Sequence, residues 1–171
     1  MRIEVLEAKE CFGVEHEKVT VPTKVRVGKR VFDVVFPYKH APAHGFVYGE
    51  SIRVFKNIRL RDIPSNYLFL RLKVEGVGWL TIGQPCAILT IFTDNWKDDS
   101  ILQLAEKAYN EGFKVSEPES VGKHHYRINF VMRFTEPSDI TVREAYGMFK
   151  RIVRWVRKCK RIIMVEEDLK K

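Results

Sequence analysis

Three groups of residues in this sequence have the types and spacing to do chemistry. The first is Lys73-Val74-Glu75-Gly76-Val77-Gly78, which follows an apolar run. Two glycines let the backbone amides of a turn approach an anion unobstructed, and a helix opening at Trp79 would add free amides to that nest. A tight β-turn between two strands uses the same sequence equally well. The second group is cationic. Arg143, Lys150, Arg154, Arg157 and Arg161 recur at spacings of seven, four, three and four, which places them on one side of a helix. Such a stripe neutralises the phosphates of a nucleic acid or a cofactor, or is simply a solvated face. On the strand expected from His124 to Phe134, His125, Arg127, Asn129 and Arg133 share one face, with Tyr126, Ile128, Phe130 and Met132 on the other.

The third group is the histidines and cysteines, and here the spacing is unhelpful. His40 and His44 lie four apart, but Pro42 between them breaks the helix that would align them on a metal. His124 and His125, adjacent in a strand, point to opposite faces. No metal site is expected. Cys11, Cys86 and Cys159 are scattered and form no CxxC pair, as expected of a reducing cytoplasm, and Cys86 in its apolar strand reads as core. Asp33 and Glu50 are carboxylates that could serve an amine as base, with nothing in their context to single them out.

A length of 171 residues with 45% hydrophobic and 30% charged content describes a globular chain with one well-filled core. No apolar run approaches the roughly 20 residues of a membrane helix, and the first residues lack a secretory core, so a cytoplasmic protein without membrane partners is expected. Only two glutamines among many Lys, Glu, Val and Ile lean towards a thermophile. The net charge is +8, and residues 143–161 carry eight Lys/Arg against the single acid Glu144. The basicity is therefore local.

Residues 1–65 read as β-rich, with strands near 2–8, 18–27, 30–38 and 46–55, and with an edge or break at Pro22. Further strands are predicted over 67–74 and 86–93, the second a continuous apolar run expected at the centre of a sheet. An amphipathic helix over 98–111 ends at Gly112, and a hairpin follows. A second helix starts near Ser138 or Asp139, runs about five turns, and leads to a strand at 161–166. Two architectures fit. One is a single α+β domain over 1–171, β-rich to residue 96, with a mixed, mostly antiparallel sheet and two main helices. The other is a β module over 1–84 followed by a ferredoxin-like unit, strand-helix-strand-strand-helix-strand, over 86–167 within 86–171.

Residues 73–134 resemble the cofactor half of the GNAT-type N-acetyltransferases. The resemblance rests on Lys73-x-x-Gly76-x-Gly78, where the family has Gln or Arg first, and on Ile88 to Asn95. It continues through Ala105-Glu106-Lys107-Ala108-Tyr109-Asn110-Glu111-Gly112-Phe113 and the strand His125 to Met132. It implies a GNAT-like sheet and acetyl-CoA, with the cofactor on Lys73, Gly76, Val77, Gly78 and Trp79. Asn95 would lie near the pantetheine arm, and Tyr109 would protonate the departing thiolate. The expected activity is acetyl transfer to an unidentified amine, of a small molecule or a protein. Two alternatives stand beside it. One is nucleic-acid binding through Arg127, Arg133, Lys150, Arg154 and Arg157. The other is a non-enzymatic subunit with Trp155 at a partner contact. Strands 67–74 and 86–93 lying parallel and splaying apart around Gly76 would favour the first reading; an antiparallel hairpin there would favour the ferredoxin-like architecture, with function then sought on the basic helix.

Overall fold

The computed structural model describes residues 2–12, 15–36, 45–64, 68–135 and 138–164. Alternating apolar residues set up β1 (Ile3–Phe12), β2 (Lys18–Val27), β3 (Arg30–Val35) and β4 (Gly45–Gly49). Then come β5 (Leu68–Val74), β6 (Gly78–Ile82) and β7 (Cys86–Thr93). Helix α1 (Asp99–Asn110) leads to β8 (Lys114–Val115), β9 (Glu119–Gly122) and β10 (His125–Arg133). Helices α2 (Val142–Met148) and α3 (Lys150–Lys158) precede β11 (Ile162–Ile163).

The strands form one continuous sheet in the order β1-β2-β3-β4-β5-β6-β7-β10-β8, with β9 also on β10 and β11 on β7. Only β4 and β5 pair parallel among the described strands. The protein is thus α+β with a mixed, mostly antiparallel sheet. Its second half, β7-α1-β8/β9-β10-α2/α3-β11, is ordered β11-β7-β10-β8 with every neighbour antiparallel. That half joins the first through the β6–β7 ladder. One apolar core runs from Val25 and Val27 on β2 to Val156 on α3.

Several boundaries differ from the sequence reading for local reasons. The strand expected to reach Phe55 stops at Gly49, where an added Cβ would strike the Phe55 ring, and residues 52–57 form turns. Pro22 lies inside β2, but β3 pairs only with Lys24–Val27, so no ladder on that side needs its missing N–H. The expected second helix is two. Thr141, not Ser138 or Asp139, caps α2 in a capping box with Glu144, and the helix breaks at Phe149, whose ring is buried against Phe113 at 5.0 Å. Among the described residues the last strand is β11, Ile162–Ile163, and residues 165 and 166 of the range expected for it lie outside them. His124, expected in a strand, sits in a turn at φ 63°.

Register assigns the two faces of the sheet. Leu70, Leu72, Leu80, Ile82, Leu89, Ile128 and Phe130 share one face and the core with Ile101 and Leu104 of α1, Ala145 of α2 and Ile152 of α3. The opposite face carries Arg71, Lys73, Trp79, Thr81, Thr90 and Asn129. Trp79 and Phe92 are buried there, yet both lie outside the core cluster. Among the described residues, no helix contributes to that face.

Candidate nucleic-acid interface and adjoining cavity

The Gly76-Val77-Gly78 turn joins two antiparallel strands. Gly76 sits at its tip with φ 72°, and the Val77 amide donates back to the Val74 carbonyl at 3.0 Å, while its side chain is buried in the core. Gly78 has φ 154°, and an added Cβ would fall far inside contact with the Thr90 carbonyl oxygen. Both glycines therefore serve the hairpin, one by its dihedrals and one by close backbone approach. Of the two uses the sequence allows this turn, the tight β-turn holds and no helix opens at Trp79, which lies within β6 as the partner of Lys73. β6 fills the space between β5 and β7, so these strands do not splay. Beyond the turn, β11 takes the edge of β7 that β6 vacates, and Arg157 donates to the Glu75 carbonyl at 3.4 Å.

The other residues suggested for a CoA site are dispersed. Asn95 uses its side-chain oxygen to accept from the Lys97 amide at 3.2 Å, a local turn just before α1. Tyr109 is 72% exposed in the last turn of α1, roughly 15 Å along the helix from its first residue, Asp99. Of the expected set, Lys73 and Trp79 line a common cavity.

The cationic residues divide between two sides of the molecule. Arg143, Lys150, Arg154 and Arg157 are exposed on α2 and α3, which pack on the core face of the sheet. Arg127 and Arg133 belong to the opposite, helix-free face. The helical stripe is also partly engaged. Arg151 pairs with Glu111 at 2.7 Å, and Arg161 bridges Asp94 at 3.6 Å and Asp98 at 3.3 Å. Lys107 lies over the Trp155 ring at 5.4 Å.

The helix-free face brings in residues that the sequence reading did not single out. Parallel pairing of β4 with β5 sets Phe46 beside Phe69 and Tyr48 beside Arg71. The Arg71 guanidinium lies 5.4 Å from the Phe46 ring centre and 5.2 Å from that of Trp79. Tyr48 meets Trp79 edge-on at 5.9 Å, and Phe46 meets Phe69 at 6.0 Å. Burial lowers the Arg71 pKa from its usual value, Tyr48 opposes this, and neighbouring Arg127 reinforces it. Arg71 is still a cation at neutral pH, since an arginine starts far above neutrality. Farther along the face, Arg127 donates to Glu119 at 2.8 Å, and Thr90 donates to the Asn129 side-chain oxygen at 2.7 Å. The alternation of Phe69, Arg71 and Lys73 was visible in the sequence; the parallel neighbour carrying Phe46 and Tyr48 was not.

Next to this face is a cavity of about 670 Å³ lined by Arg30, Phe32, Tyr48, Glu50, Lys73 and Trp79, with Gly49, Ser51, Val54 and Phe55 completing it. Arg30 lies over the Phe32 ring at 5.3 Å. Cys86, paired in register with Arg133, has its thiol pKa pushed up by burial, with Arg133 opposing, so it is held as a thiol rather than a nucleophile. Among the described residues no group of His, Cys, Asp and Glu has the arrangement to hold a metal, and His40 and His44 lie outside them. No helix among them is long and apolar enough to cross a membrane. Comparison of the chain with protein-family models, with curated proteins and with solved structures finds no match.

Proposed function

We propose that this protein binds single-stranded nucleic acid on the helix-free face of its sheet. The observation that carries the reading is the ladder of half-buried aromatic rings, Phe46, Tyr48 and Phe69, beside Arg71, Arg127 and Arg133 on one face. Bases stack on rings whatever their sequence, and guanidinium groups neutralise the phosphates between them. The strand order of residues 86–163 supports treating that half as ferredoxin-like, an arrangement whose open face is suited to extended single strands. In this reading α2 and α3 supply a general positive field and not the binding surface.

Titration of a labelled single-stranded 12-mer by fluorescence anisotropy tests the proposal. Affinity falls as salt rises, with a log–log slope of about −2 for three phosphate contacts. The double variant Arg127→Glu/Arg133→Glu loses most of the binding, Tyr48→Ala weakens it by about fivefold, and Lys150→Glu/Arg154→Glu leaves it largely intact. Loss only in the last variant would move the site to the helices.

Acetyl transfer from CoA is a second reading, kept by one observation: Lys73 and Trp79 line the same cavity. Tyr109, the proton donor that the resemblance implies, does not line that cavity and lies in the last turn of α1. A melting-temperature rise with acetyl-CoA that Lys73→Glu abolishes would favour it.

A further inference from the structure

The cavity beside the sheet face has a composition that stacking along a strand does not require. Its walls include Phe32, Tyr48 and Trp79, and its cations are Arg30 and Lys73. Among the described residues Lys73 makes no ion pair or side-chain hydrogen bond, and Arg30 contacts only the Phe32 ring. Lys73 is half-buried and holds no ion-pair partner among the described residues, which leaves its ammonium available to an incoming anion. Glu50 and Ser51 are exposed and provide acceptors for hydroxyl or amino groups. The volume suits one small organic ligand and is generous for an inorganic ion.

We infer that this cavity holds one nucleotide unit, its base against Phe32 and Tyr48 and its phosphate at Arg30 and Lys73. Glu50 and Ser51 then face the sugar hydroxyls or the base amino group. Free nucleotide and the phosphorylated end of a strand share this chemistry. The inference stands on the cavity residues, so it holds or fails separately from strand binding at Arg127 and Arg133.

Calorimetric titration of the full chain with AMP, adenosine, inorganic phosphate and two hexanucleotides, one 5′-phosphorylated and one 5′-hydroxyl, tests it. If the site takes free nucleotide, AMP binds at least about tenfold more tightly than adenosine or phosphate alone. That binding is lost in Lys73→Glu and in Arg30→Glu, retained in Lys73→Arg, and unaffected by Arg127→Glu/Arg133→Glu. If the source is a strand end, AMP is silent, but the 5′-phosphorylated hexamer outbinds the 5′-hydroxyl one by a margin that Lys73→Glu removes. Unchanged unfolding midpoints in the variants separate loss of site from loss of fold. Measurable and equal binding of AMP and adenosine, indifference to both charge reversals, or no discrimination within either pair of probes would overturn the inference.

Discussion

Gly76 and Gly78 have similar positions in the sequence and different physical duties. At Gly76 the backbone is left-handed with φ 72°, and an added Cβ meets nothing within 4 Å. Asn, which tolerates that region, should be accepted there, and Ala should cost about 1 kcal/mol. At Gly78 any side chain drives into the Thr90 carbonyl, part of the β6–β7 ladder at the centre of the sheet. Gly78→Ala should therefore destabilise the fold by about 2 kcal/mol or more, measured by urea unfolding. Equal costs at the two positions would contradict this account of the turn. The same contrast disqualifies Gly78 as a site for probing ligand binding, since a charged residue there would remove the sheet before it removed a ligand. Lys73, on the neighbouring strand and at the cavity, is the informative residue.

Among the elements, α1 shows how a helix is tied at its start. Asp98 caps it by accepting from the Ser100 amide at 3.0 Å, and Arg161, leading into β11, reaches the same carboxylate at 3.3 Å. The Asp98 pKa is lowered, first by the Ser100 side-chain hydrogen bond, then by the Ser100 amide and Arg161. A carboxylate with a depressed folded-state pKa adds stability above its unfolded pKa and loses it as pH falls through the folded value. The stabilising effect of Asp98 relative to Asp98→Ala should thus be full at neutral pH and vanish at strongly acid pH. Thermal unfolding of both proteins across that range measures it, and a pH-independent difference would contradict the linkage. Much of this was legible in sequence. Asp98 opening the helix and Gly112 closing it were both readable, because caps are local chemistry. The break at Phe149 was not, because Phe149 continues the apolar spacing of the residues on either side and its packing against Phe113 is non-local.

At the scale of the molecule, the sheet separates two surfaces that the sequence invites one to merge. Charge counting finds the basic segment 143–161 and, by alternation, Arg127 and Arg133, and both were correctly located on their own elements. What sequence cannot supply is that α2 and α3 pack on the far side of the sheet from those two arginines. Nor can it supply the neighbours of a strand. The pairing of β4 with β5 is parallel and non-local, and it brings Phe46 and Tyr48 beside Phe69 and Arg71, to which the β5–β6 hairpin adds Trp79. The turn at Gly76 was ambiguous for the same reason, since whether a glycine pair opens a helix or closes a hairpin depends on what the next strand finds beside it. Here β6 finds both β5 and β7.

The most direct test is a map of backbone amide chemical shifts as a short single-stranded oligonucleotide is added. The largest changes should fall on β4, β5 and β10, at Phe46, Tyr48, Phe69, Arg71, Arg127 and Asn129, and diminish as salt is raised. Changes confined to Arg143, Lys150 and Arg154 on α2 and α3, or none at saturating strand, would contradict binding on the helix-free face.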